Sequence, residues 1–230
     1  MTRIRFQQSL EDLKEQLLVM AGLAEQAIQR AIEAYRVRDL SICDLVSRSE
    51  NAINRLEREI DQAALDLLAM EQPMAVDLRF ILSVIKINAD LERVGDAAKS
   101  ISDRVRSMEQ MAQADLPVDI PRMAELAEEM VRKSLQSFIE GDADLARSIL
   151  TMDDAVDAMN RAAYKALTKV MEEQSHLAPQ ALNALMISRA LERVADHATN
   201  IAEDVIFWVQ GDDVRHHKSL KTAPDPYIIE

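Results

Sequence analysis

Two short stretches carry the residues most able to do chemistry: Leu91-Glu92-Arg93-Val94-Gly95-Asp96-Ala97 and, a hundred positions on, Leu191-Glu192-Arg193-Val194-Ala195-Asp196-His197. Residues 91–105 and 191–205 share eight identities in fifteen positions without a gap, which marks one supersecondary unit used twice. Each copy holds a Glu and an Asp four residues apart. Like charges at that spacing destabilise a helix by about 0.2–0.5 kcal/mol per pair, so keeping them in both copies needs a reason. A second family of pairs lies upstream, Glu50-x-x-x-Asn54 aligned with Asp153-x-x-x-Asp157. Carboxylates gathered from two helices form an oxygen-rich cage for a divalent or trivalent cation, and bound metal relieves the repulsion. The competing reading is a plain solvated helix face.

The positioning elements are helical. Of 230 residues, 48% are hydrophobic but only 3% aromatic, with four Gly and six Pro, and the apolar positions recur at three- and four-residue spacing. The spacing predicts helices over residues 2–38, 40–70, 75–114, 121–140, 143–173 and 179–210, broken at Pro73, at the Leu116–Pro121 stretch, at Gly141-Asp142 and at Gly211. The expected architecture is all-α, two tandem three-helix bundles from six long helices, an internal repeat with a pseudo-two-fold relation. The first repeat spans residues 1–115, the second 119–211, and 212–230 is a loose tail.

With Ile87 at zero on a helical wheel, Leu91, Val94, Ala98, Ile101 and Val105 fall within about 40°, whereas Glu92 and Asp96 lie near 140° and 180°. The site is therefore expected on the outer surface, not in a buried di-metal core. Asp103 and Glu203 return to the same angle and would extend the carboxylate ridge.

Charge and cysteine use exclude several classes. Twenty-seven basic against forty acidic residues leave a formal charge of −13, which disfavours nucleic acid and anionic lipid as direct partners. Cys43 is the sole cysteine, so no intrachain disulfide forms, and a buried thiol is its default role. The first residues lack an apolar leader and no run approaches the ~20 apolar residues of a membrane span, so a cytoplasmic protein is expected.

The repeated Leu-Glu-Arg-Val-Gly/Ala-Asp words, with Glu71-Gln72-Pro73-Met74-Ala75 and Asp77-Leu78-Arg79 before the first, resemble the PhoU family of bacterial phosphate-signalling regulators over almost the whole chain. The resemblance implies multinuclear iron or zinc clusters held at the surface; Mg, Mn or Ni would suit the same oxygen donors. The motif carries over to Glu50, Glu92 and Asp96 in the first half and to Asp153, Asp157, Glu192 and Asp196 in the second. Asn54 departs from the carboxylate, and the first site is expected to bind more weakly. The resemblance also implies a cytoplasmic, non-enzymatic negative regulator of phosphate uptake and starvation signalling. Its partners would be the Pst phosphate ABC transporter and a PhoR-type sensor histidine kinase, with membrane association through them only; a homodimer is left open. A metal store using the same carboxylates is the alternative.

Other features carry weaker signals. Arg93 and Arg193 pair with a neighbouring carboxylate or meet a partner's acidic group or phosphate. His197 could add an imidazole ligand, but its counterpart is Ala97; Asp90 has Ala190 as its counterpart and cannot be a ligand shared by both sites. Glu173-x-x-His176 has the di-iron spacing but stands alone, and His216-His217 could catch stray metal. The methionines at helical spacing are expected core filler.

Overall fold

The computed structural model describes residues 3–214. Asp39 caps the start of a long helix by accepting from the Ser41 amide at 2.8 Å, and Asp119 accepts from Arg122 at 3.0 Å ahead of Pro121, so each repeat has a side-chain oxygen where helix-end amides lack partners. Seven α-helices result among the described residues: α1 Arg3–Val37, α2 Leu40–Glu71, α3 Val76–Ser107, α4 Ile120–Glu140, α5 Ala143–Ile149, α6 Asp153–Glu173 and α7 Ala178–Gln210. A single 3-10 turn, Ser175–Leu177, precedes α7. Gly141 and Gly211 end α4 and α7 at φ +64° and +81°, the left-handed backbone that a residue with a Cβ adopts only at a cost.

Two differences from the sequence expectation matter. The third helix stops at Ser107 rather than near residue 114. The helix expected over 143–173 is interrupted at Leu150–Met152, giving α5 and α6. There Ser148 Oγ donates to the Leu145 carbonyl at 2.6 Å and Thr151 Oγ1 to the Ser148 carbonyl at 2.8 Å, hydroxyls competing for helical acceptors. As a result Asp153 and Asp154 occupy the first turn of α6, where the helix dipole favours negative charge, whereas their counterpart Glu50 lies well inside α2.

Helices α1, α2 and α3 pack as one bundle, and α4, α6 and α7, with α5 against α7, as the other. The two share a continuous apolar core running from Leu13, Leu17 and Ile28 through Ile87, Leu91 and Val94 to Ile187, Leu191 and Val194. The seam between them is the α3–α7 packing, the most extensive in the molecule. Arg79 Nε donates to the Trp208 carbonyl, Ser83 Oγ to the Asp204 carbonyl, and Asp90 meets His197, so the two helices run antiparallel and each residue meets its own repeat counterpart near Val94 and Val194. At one end of the seam Phe80, Phe138 and Trp208 pack ring on ring with centroids 5.1–6.0 Å apart. No helix among the described residues is long and apolar enough to cross a membrane.

The seam corrects the one-stripe picture of α3 and α7. Both helices carry a second buried face, with Asp204 on it, and Glu203 is buried as well, so Glu203 does not continue the exposed ridge that Asp103 would share. Asp103 is half-buried and holds Lys99. Cys43 is buried, its Sγ 3.7 Å from the Ser102 carbonyl oxygen. Met20, Met108, Met123 and Met130 fill core as expected, but Met70 and Met74 are exposed beside the α2–α3 turn. Asp212 and Asp213 are exposed; the rest of the expected tail, with His216 and His217, lies outside the described residues.

Candidate metal centre

The second repeat gathers its four carboxylates. Asp153 and Asp157 stand one turn apart on α6, Glu192 and Asp196 one turn apart on α7, and the two helices pack side by side. Oxygens of Asp153, Asp157 and Asp196 lie within 4.8 Å of one another. Burial, reinforced by the charges of Asp196, Asp157 and Asp153 against the pull of Arg189, holds the Glu192 carboxyl above the ordinary carboxylate range, which places Glu192 in the same cluster. Asp153 is 5% exposed, Asp157, Glu192 and Asp196 half-buried. The site is thus sunk into the surface rather than lying wholly outside, because α6 shelters the flank of α7 that a wheel drawn for one helix leaves open. Ser188 Oγ pins the two helices together by donating to Asn160 Oδ1 at 2.8 Å.

The first repeat repeats the layout with altered groups. Burial and the charges of Asp96, Glu57 and Glu50 push Glu92 upward, with Arg93 opposing. Glu50, Asn54 and Glu57 share one face of α2, opposite Glu92 and Asp96 on α3. Asn54 Nδ2 donates to Glu50 Oε1 at 2.6 Å, so the amide occupies an oxygen that a cation would use. Glu57 is the residue that sequence reasoning missed. Its i, i+4, i+7 relation to Glu50 and Asn54 was the available signal, hidden because its counterpart in the other repeat is Asn160, not an acid. Asn88 of α3 holds the Glu57 carbonyl at 2.9 Å and Asp61 Oδ1 at 2.9 Å, the equivalent of the Ser188 pin.

Oxygen-only donors converging from two helices fit a hard or borderline cation with several open positions. The second site fits on its donor set and spacing. The first fits less well: among the described residues its carboxylates do not form a comparable three-donor group.

His197 and Asp90 find each other instead. His197 Nδ1 lies 2.9 Å from Asp90 Oδ1 across the seam, and Asn200 Nδ2 donates to the same oxygen at 3.2 Å. The two mismatches between repeats are therefore halves of one contact, and its pseudo-symmetric mate is the buried pair Ala97 and Ala190. Glu173 and His176 are both exposed at the end of α6 and the turn after it, away from the carboxylate cluster.

A family model for the PhoU domain matches this chain twice, over residues 17–105 and 120–205. The chain belongs to the PhoU family. A phosphate-specific transport system accessory protein PhoU homolog of Pseudomonas aeruginosa is 37% identical over 215 residues, covering 92% of this chain and 88% of the relative. The protein of that name from Escherichia coli K12 is 32% identical over 214 residues, with 92% and 88% covered. Among solved structures, PhoU from Pseudomonas aeruginosa superposes with a TM-score of 0.87 at 36% identity, covering 90% of this chain and all of that one. The phosphate transport system regulatory protein PhoU from Streptococcus pneumoniae gives 0.84 at 28% identity, with 91% and 99% covered. The tandem match and the fold agree with the PhoU architecture of two helical repeats.

Proposed function

We propose that this PhoU-family protein is a cytoplasmic accessory regulator of phosphate-specific transport that keeps the starvation response off, linking the Pst transporter to a PhoR-type sensor kinase. The role in phosphate transport is supported by the names and coverage of its relatives. The adaptor role rests on the same kinship. The observation that carries a metal-dependent form of it is the Asp153, Asp157, Asp196 cluster beside Glu192. Iron or zinc, or another divalent cation, would be held there by these four side chains, with Glu50, Glu57, Glu92 and Asp96 forming a weaker first site. A cation in this position would tie α6 to α7 and cancel carboxylate repulsion, stiffening the second repeat. No step of catalysis is assigned to it.

The test is a starvation-response reporter in a phosphate-replete strain lacking the gene. Constitutive expression that returns to baseline on complementation supports the regulatory reading; normal repression in the deletion strain overturns it in favour of a metal store. Elemental analysis of untagged protein tests the site: the Glu192→Ala, Asp196→Ala variant should lose metal from the second repeat, and unchanged content would remove the assignment.

A further inference from the structure

The α3–α7 seam carries a second feature, which borders the first-repeat carboxylates and shares Asp96 with them. Beside the Asp90–His197 contact lies a groove of about 390 Å³. It is lined by Arg93, Arg104, Arg193, Lys99 and His197, with Asp96 and Asp103 as the only acidic residues. In a chain of formal charge −13, four full positive charges against two negative ones in one concavity is a local inversion of sign.

Part of that positive charge is already engaged and part is not. Lys99 holds Asp103, and Arg93 stands 4.0 Å from Asp90 Oδ1. Arg104 and Arg193 have no carboxylate within ion-pair distance among the described residues, and the Arg104 Nε atom is buried with no hydrogen-bond acceptor. A buried guanidinium nitrogen without an acceptor costs free energy, and it keeps Arg104 from being neutralised inside the protein. The repeat accounts for Arg93 and Arg193, which are counterparts, but not for the rest of the arrangement. Lys99 and Arg104 have Thr199 and Asp204 as counterparts, and Asp204 is buried against Lys86. Half of the basic lining is thus particular to the last turns of α3.

The chemistry of the walls narrows the occupant. Planar guanidinium forks match the oxygen edges of a tetrahedral dianion and bind it through paired, charge-assisted hydrogen bonds. The one aromatic ring in the lining is the His197 imidazole, and polar surface exceeds apolar surface there, so charge rather than a large apolar contact would select the occupant. The geometry points to a binding site for a phosphate-type oxyanion, orthophosphate or a short condensed phosphate, clamped between Arg104 of the first repeat and Arg193 of the second. Occupancy would brace the seam, since its two principal ligands belong to different bundles.

Isothermal titration of the full chain, in buffer containing chloride as competing anion, tests this with orthophosphate and pyrophosphate as separate probes. Saturable binding of either is expected, weakened at least tenfold in Arg104→Gln and less in Arg104→Lys, which keeps the charge without the fork. Stronger binding of pyrophosphate would identify a ligand long enough to touch both arginines at once; stronger orthophosphate binding would identify a single tetrahedral group. Arg193→Gln, at an exposed position, gives the same reading should Arg104→Gln unfold. The Glu192→Ala, Asp196→Ala variant must retain binding. No saturable heat from either probe, equal affinity in the arginine variants, or loss in the carboxylate variant alone would overturn the proposal, the last by moving the oxyanion to metal held in the second repeat. The groove and the second-repeat metal centre can thus fail independently.

Discussion

Replacing Asp157 by Asn separates the electrostatic cost of the carboxylate cluster from its benefit. Its oxygen lies within 4.8 Å of oxygens on Asp153 and Asp196. At that separation and an effective dielectric constant of about 20, each repulsive pair is worth about 3 kcal/mol before solvent screening. The half-buried setting of Asp157 lets water and salt remove most of this, leaving about 1–3 kcal/mol for the two pairs together. Asp157 also holds Arg161 at 3.4 Å, but that exposed pair returns under about 1 kcal/mol. Metal-free Asp157→Asn should therefore be more stable than the parent at neutral pH, by about 1–2 kcal/mol in urea unfolding. The sign with pH follows from Glu192, whose carboxyl is raised in the folded state. A raised carboxyl favours the folded state below its unfolded value, and that contribution is lost as pH rises through the folded value. The parent thus recovers stability on acidification, and the advantage of the variant should shrink toward pH 4. With metal bound the order reverses, because the variant loses a ligand and its affinity should fall at least tenfold. A metal-free variant no more stable than the parent at pH 7, or an advantage that persists unchanged at pH 4, would refute the reasoning.

Three further perturbations read other parts of the structure. His197→Ala leaves the Asp90 carboxylate, 6% exposed, short of a partner and should cost about 1–3 kcal/mol, whereas Asp90→Ala with His197→Ala recreates the Ala97–Ala190 arrangement and should recover much of the loss; thermal melts of all three variants decide it. Asn54→Asp replaces an amide bonded to Glu50 with a fifth converging carboxylate, so the first repeat should retain more metal by elemental analysis while the metal-free protein becomes less stable; unchanged metal content would count against a site there. Ala75, at φ +51° in the α2–α3 turn, bears strain that a glycine would relieve, so Ala75→Gly should raise stability by up to about 1 kcal/mol, and a drop in the unfolding midpoint would contradict the assigned turn geometry.

Much of the fold was legible along the chain. Apolar residues at 3.6-residue period, Asp39 and Asp119 at helix starts and Gly141 and Gly211 at helix ends act through local backbone chemistry, so they announce six long helices without reference to distant contacts. Duplication made Glu92, Asp96, Glu192 and Asp196 conspicuous, since a repeated like-charge pair is costly wherever it stands. What the tertiary structure decided came from the seam and from helix pairing. Tertiary packing buried Glu203, which a wheel drawn for one bundle leaves in solvent. Setting α2 against α3 brought Glu57 to Glu92, although no repeat of the residue flagged it. The antiparallel crossing near Val94 and Val194 joined Asp90 to His197 and collected Arg104 and Arg193 in one groove, residues about ninety to a hundred and ten positions apart. Periodicity reports the environment of one helix at a time; which charges meet depends on the angle and register at which two helices cross, and those are set by the whole core.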